Sequence, residues 1–338
     1  MKNNSLADTQ SLQVTSSSFN WVGLFTAILA LIGLGLLIAF AKGYVLFQLT
    51  MMLAYVAALV GLNILTGYNG QISLGHGAFF AIGAYTASIL MDKADVAYWL
   101  AVPAAGLVCL LVGYLFGRPA LKLQGLYLAL ATFALGVATP QLLKYKHLEQ
   151  WTGGVGGIVL MKPEAPFGLS LNADQWFLIY TAAVVSILLF LAHNLILSGS
   201  GRALRAIRDH AMASESMGIH NAHYKSMAFG VSAAYTGIGG ALSAIATQFV
   251  SPDSFTMFLS ISLLVGMVVG GIGTLWGALF GAAFIMYVPN IAEKISKDAA
   301  WGVYGLVLIV FMFIMPSGVM GILNQLKQRF QRKSQSVI

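Results

Sequence analysis

Charge is scarce in this chain: only 9% of its 338 residues are Asp, Glu, Lys or Arg, and the single cysteine, Cys109, excludes a disulfide framework. No polar stretch is long enough for a soluble domain, the longest running from Lys144 to Gln175. No G-x-x-x-x-G-K-[ST] pattern occurs, so the chain lacks a P-loop for ATP. Within the hydrophobic runs, His76 and His193 are the only ionisable groups stronger than Tyr or Cys. Charged side chains at membrane depth mark proton relays and ion sites, at about 2.5–3.5 kcal/mol each on insertion scales. Without one, ion-coupled secondary transport has no visible seat. His210, His220 and His223 have only Asp209 and Glu215 near them as carboxylates and no Cys at ligand spacing, so no metal site is expected. No nucleophile–base–acid set is present either, which leaves enzyme chemistry without a home.

What the chain has is apolar length. Hydrophobic residues make up 58% and mean hydropathy is +0.82. A span needs roughly 20 apolar residues, and ten such runs are legible: 21–41, 44–66, 75–91, 97–117, 124–143, 176–197, 226–248, 256–272, 275–292 and 301–316. The expectation is an all-α, polytopic integral membrane protein of about ten transmembrane helices. A polar tail over 1–20 precedes a transmembrane domain over 21–316, and a basic tail over 317–338 follows it. Ala39-Phe40-Ala41 fits an A-x-A cleavage rule, but the apolar run before it is long for a cleaved signal peptide, so an uncleaved first span is expected.

Charge then orients the chain. With the arginine-rich loop inside, all six arginines and five of the twelve lysines fall on the inner side against three acidic residues, while the outer loops hold seven lysines and eight acids. This is the positive-inside pattern, and four spans separate the arginine loop from the basic tail, so both termini are expected in the cytoplasm. The net charge of +7 is divided among loops, not gathered into a groove with stacking aromatics, and does not argue for nucleic acid.

Three segments stand out from this background. In 201–218, Arg202, Arg205 and Arg208 recur at three-residue spacing, with Leu204, Ile207, Ala211 and Ser214 on another face and Gly218 placed to stop the helix. That is the pattern of a short helix lying on a membrane surface. It reads equally as a topology signal or as a place where an external partner takes hold. In 67–80, Asn69, Gln71, Ser73 and His76 sit among four glycines; such polar backbone is tolerated at membrane depth only when buried in protein or lining a wet cavity. A broken helix beside a permeation path and a tight, hydrogen-bonded turn both fit. Gly266, Gly270, Gly273, Gly277 and Gly281 make three G-x-x-x-G steps, which predict close helix packing with a short turn at Gly273-Thr274. The glycine-rich stretch 151–158 reads as a mobile connector.

Taken in order, LNILTGYNGQISLGHGAFFAIGAY (62–85), GLYLALATFALG (125–136), TGGVGGI (152–158), GRALRAIRDHAMASESMGIHNAHYK (201–225) and FVSPDSF with VVGGIGTLWGALFGAAF (within 249–284) resemble the LivM-type permease subunit of branched-chain amino-acid ABC importers. The resemblance implies a helical transmembrane domain paired with a second homologous permease, two cytoplasmic ATPases and a periplasmic solute-binding protein, in a bacterial inner membrane. It implies no cofactor in this chain, ATP and Mg being held by the ATPases. The loop 199–225 would then couple to the ATPases, through Arg202, Arg205, Arg208, Asp209, Glu215 and Gly218. Residues 202–217 are expected as one rigid helix, about 24 Å long at 1.5 Å per residue. Glu215-Ser216-Met217-Gly218 departs from the importers' E-A-A-like segment by a Ser and by shorter spacing to the glycine. Asn69, Gln71, Ser73 and His76 would border the path of a small polar solute, with membrane lipid around the outside. Branched-chain or related amino acids, urea and short amides all remain open as solutes, as does a stand-alone secondary transporter or facilitator.

Overall fold

The computed structural model describes residues 41–120, 123, 125–166, 170–297, 299–323 and 325. The N-terminal tail, all but the last residue of the first expected span, and the basic tail beyond residue 325 lie outside them. Long apolar runs fold as helices because a helix satisfies every internal backbone donor and acceptor without water. In chain order these are α1 (Gly43–Leu62), α2 (His76–Lys93), α3 (Tyr98–Ala120), α4 (Leu126–Leu143), α5 (Glu149–Thr152), α6 (Ala173–Leu197), α7 (Gly199–Asp209), α8 (Ala211–Ser216), α9 (Asn221–Thr247), α10 (Met257–Gly270), α11 (Gly277–Ile295) and α12 (Ala300–Ile314). A π-helical turn, Asn63–Tyr68, extends α1. Two-residue strands, β1 (Ile158–Val159) and β2 (Phe249–Val250), pair antiparallel in an otherwise helical fold.

Among the described residues, eight helical stretches are long and apolar enough to cross a membrane, and each overlaps one of the expected spans. A ninth expected span, 75–91, is α2, whose polar ends at His76 and Asp92-Lys93 leave it less apolar than those eight. The molecule is a multi-pass membrane protein.

α9 is the hub, packing against α1, α2 and α3. Burial covers 83% of its apolar window, against 6% for the last span, Gly302–Leu323, which leaves that span's apolar surface outward. Small residues make the hub possible. A Cβ on Gly83 would strike the Gly237 backbone, and one on Gly240 would strike the Phe80 carbonyl, so α2 and α9 touch backbone to backbone. Such contact replaces the hydrophobic drive that lipid does not supply. The same rule joins α10 to α11, where Gly270 lies on the Gly277 carbonyl and Gly281 on the Gly266 carbonyl.

At the end of the bundle away from the arginine loop, the glycine stretch 151–158 corrects the expectation of a mobile connector. Three of its glycines, Gly153, Gly154 and Gly157, take left-handed backbone in a folded turn. Gly153 (φ +70°) lies against the Gly157 carbonyl, and Gly157 (φ +73°) lies against the Val250 carbonyl, where β1 meets β2. Thr152 Oγ1 pins the turn by donating to the Leu143 carbonyl at 2.8 Å. Ion pairs Lys144–Asp253 and Lys162–Asp174 brace the same end.

Candidate functional site

The arginine segment folds as two helices, not as one 24 Å rod. Ser198 caps α7, its hydroxyl accepting from the Gly201 amide at 3.4 Å. Ala203, Leu204 and Ile207 face the bundle while Arg202 faces out, which is the amphipathic reading of the sequence. The helix then breaks at His210, which is extended (φ −158°, ψ 92°), although no Gly or Pro marks the spot. The cause is tertiary. Asn221, at the start of α9, donates to the Ala211 carbonyl at 2.7 Å and accepts from Ser214 Oγ at 2.9 Å, fixing α8 against α9 in a new direction. Its Nδ2 also lies 3.4 Å from Glu215 Oε2.

α8 ends where Gly218 predicts. Gly218, at φ +84°, donates to the Glu215 carbonyl at 3.0 Å, and Ile219 donates to the Ser214 carbonyl at 3.0 Å, a Schellman closure that a left-handed glycine permits. Two methionines project from this stub, Met212 at 79% exposure and Met217 at 85%. Arg205 turns back on the chain, to the Gly201 and Ile196 carbonyls.

Arg208 does something different from its neighbours. Its Nη1 donates to the Gly67 carbonyl at 2.9 Å, and its other edge rests on Asp209 Oδ1 through Nε and Nη2, both at 2.9 Å. Gly67 can accept because the π-helical turn diverts the Gln71 amide, its helical partner, to the Leu65 carbonyl. Gly70, at φ +76°, leaves the space that Arg208 fills: a Cβ there would lie 2.8 Å from Arg208 Cγ. One turn back, Asn63 reaches across to the α10–α11 turn. Its Oδ1 accepts from the Gly273 amide at 2.8 Å and its Nδ2 donates to the Thr274 carbonyl at 2.7 Å. Gly273, named both for helix packing and for the short turn, sits in that turn at φ +77°, bonded to Asn63.

The four polar residues of the glycine segment are all buried. Asn69 Nδ2 donates to Gln71 Oε1 at 2.7 Å, while Asn69 Oδ1 has no partner among the described residues. His76 is held at both nitrogens, Nδ1 at 2.9 Å from Ser73 Oγ and Nε2 at 2.6 Å from Ser232 Oγ on α9. Ser232 spends its hydrogen on the Gly61 carbonyl at 2.6 Å, so it accepts from His76 Nε2–H, and Nδ1 accepts from Ser73. His76 thus ties α1, α2 and α9 together. Sequence reasoning missed Asn63 and Ser232. Asn63 had a signal, a carboxamide inside the apolar run LNIL; Ser232 had none, since serine in a small-residue helix is ordinary packing.

No group of three or more His, Cys, Asp or Glu able to hold a metal occurs among the described residues. The described residues thus form a helical, multi-pass bundle with a polar junction and an exposed helical stub at one end. The family model for the branched-chain amino acid transport system permease component matches residues 44–315, and the chain belongs to that family of ABC permease components. It is similar to the high-affinity branched-chain amino acid transport permease LivM of Salmonella typhimurium, with 31% identity over 80% of this chain and 68% of that one. LivM of Escherichia coli is 30% identical over the same shares. The autoinducer 2 import permease LsrC of Salmonella paratyphi B is 27% identical over 47% of each chain. No solved structure matches. As a permease component, the chain is a transport subunit and not a catalytic one.

Proposed function

We propose that this protein forms half of the pathway of an ATP-driven importer for branched-chain or related small amino acids, paired with a second homologous permease. Two ATPases dock on the arginine-bearing end, which faces the cytoplasm with both termini, and a periplasmic solute-binding protein delivers cargo to the β1–β2 end. The membrane domain extends over 21–316 between a 1–20 tail and a basic 317–338 tail. ATP and Mg belong to the partner subunits. The observation that carries this reading is α8: a stub fixed to α9 by Asn221 and closed at Gly218, projecting Met212 and Met217 where a partner can grip them.

For the pathway, Asn69, Gln71, Ser73 and His76 are assigned to its border. Asn69 Oδ1, buried and without a partner among the described residues, supports this, because such an atom costs about 1–3 kcal/mol unless water or solute satisfies it. The 30–31% identity to LivM favours branched-chain amino acids over urea or amides. The test is reconstitution with the partner permease and ATPases. Import of labelled leucine that needs ATP and the binding protein supports the reading; leucine flux by this chain alone, without ATPases, defeats it.

A further inference from the structure

We infer that Asn63 is a positioning residue of the transport cycle, clamping the α10–α11 turn to the end of α1 so that both move with the arginine loop. The inference rests on the proposed coupling role of that loop. Three elements distant in sequence converge here on three hydrogen bonds. Arg208 of α7 holds the Gly67 carbonyl, and Asn63 holds both the Gly273 amide and the Thr274 carbonyl. Arg208 also reaches the turn, with Nη1 3.9 Å from where a Gly273 Cβ would stand.

The chemistry of the clamp is specific. Binding a free amide and a free carbonyl at once takes a group that both donates and accepts on one short plane, which a carboxamide does. Asp would accept from Gly273 and repel the Thr274 carbonyl. Leu would leave both part-buried backbone groups without this partner. Asn63 is itself 2% exposed, so its carboxamide is held in the bundle with these two groups as its partners. Space is equally constrained: a Cβ on Gly67 would collide with Asn63 Oδ1 and stand 2.6 Å from the Gly273 amide.

A rigid shift of α7 therefore cannot leave the α10–α11 turn behind while these bonds hold. α10 and α11 are in turn locked backbone to backbone at Gly270–Gly277 and Gly266–Gly281. Displacement at the arginine loop is delivered to two further helices through one carboxamide. Packed elements respond to small shifts as units, which makes such a junction an amplifier.

The experiment uses the whole importer in proteoliposomes and reads solute imported per ATP hydrolysed, normalised to intact complex by size exclusion. Asn63→Asp and Asn63→Ser should each lower that ratio at least tenfold while basal hydrolysis stays within twofold. Gly67→Ala, which forces the clamp open from the other side, should lower it too. Combining Asn63→Asp with Gly67→Ala should be no worse than either change alone, as expected when both break one unit. A normal ratio in the Asn63 variants overturns the inference, as does a loss of complex yield with a normal ratio in what assembles. If the wild-type complex neither assembles with ATPases nor needs ATP, the proposed function falls instead, and the two failures are distinguishable.

Discussion

Arg208 Nη1 lies 2.9 Å from the Gly67 carbonyl, 141 residues away in the chain, so the arginine loop is bonded directly to the end of the first described span. A charged donor on a part-buried carbonyl contributes about 1.5–3 kcal/mol. Arg208→Gln should lower the melting temperature of the purified complex and its import per ATP, whereas Arg202→Gln, whose guanidinium donates to the exposed Leu197 carbonyl, should leave the melting temperature nearly unchanged. Thermal melting with coupled transport assays compares the pair. Equal effects of both substitutions would remove Arg208 from any special role.

α8 offers a second, separable test. Met212 and Met217 are exposed, so Met212→Asp with Met217→Asp leaves the fold alone but places two charges on the proposed contact. Truncating a central apolar contact commonly costs 1–2 kcal/mol or more, which predicts a weakening of ATPase binding of about thirtyfold or more for the pair. Titration of the ATPase against nanodiscs holding both permeases measures it. Unchanged affinity would place the docking surface elsewhere.

The helical character, the spans that fall within the described residues and the stop at Gly218 were legible in the sequence because each has a local cause: unbroken apolar length, or a glycine where the chain needs φ +84°. The break at His210 was not legible, since Asn221 imposes it from the next helix. The fold of the 151–158 loop was hidden for the same reason, as Gly157 answers to Val250 across a two-residue strand pair. Composition alone could not separate a crowded glycine from a mobile one. The polar segment was legible as anomalous, but whether His76 is held or free depends on Ser232, 156 residues away.

That pairing gives a third prediction. Ser232→Ala removes the acceptor of His76 Nε2–H and the donor to the Gly61 carbonyl, so it should cost about 1–3 kcal/mol. Gln71→Leu and Ser73→Val test the path itself. Lower flux per intact complex with basal hydrolysis preserved assigns Asn69, Gln71, Ser73 and His76 to the path; normal flux per complex with lower yield assigns them to packing.

Topology can be tested against a clean background, because the single native thiol, Cys109, is buried. Cysteine at Gly156, exposed with nothing within 4 Å of a new Cβ, should react with a membrane-impermeant thiol reagent in intact cells. One at Ser216, exposed on α8, should be shielded until the cells are opened. The reverse pattern would invert the membrane orientation.

The central claim is that the arginine loop couples this permease to ATP hydrolysis. Its most direct measurement is import of labelled leucine against ATP consumed, in proteoliposomes holding the full importer and saturating binding protein, for wild type and for Met212→Asp with Met217→Asp. A fixed ratio in the wild type, and at least a tenfold loss of import in the variant with spans and permease pairing intact, is the predicted result. ATP-dependent import at the wild-type ratio by the variant would contradict the account.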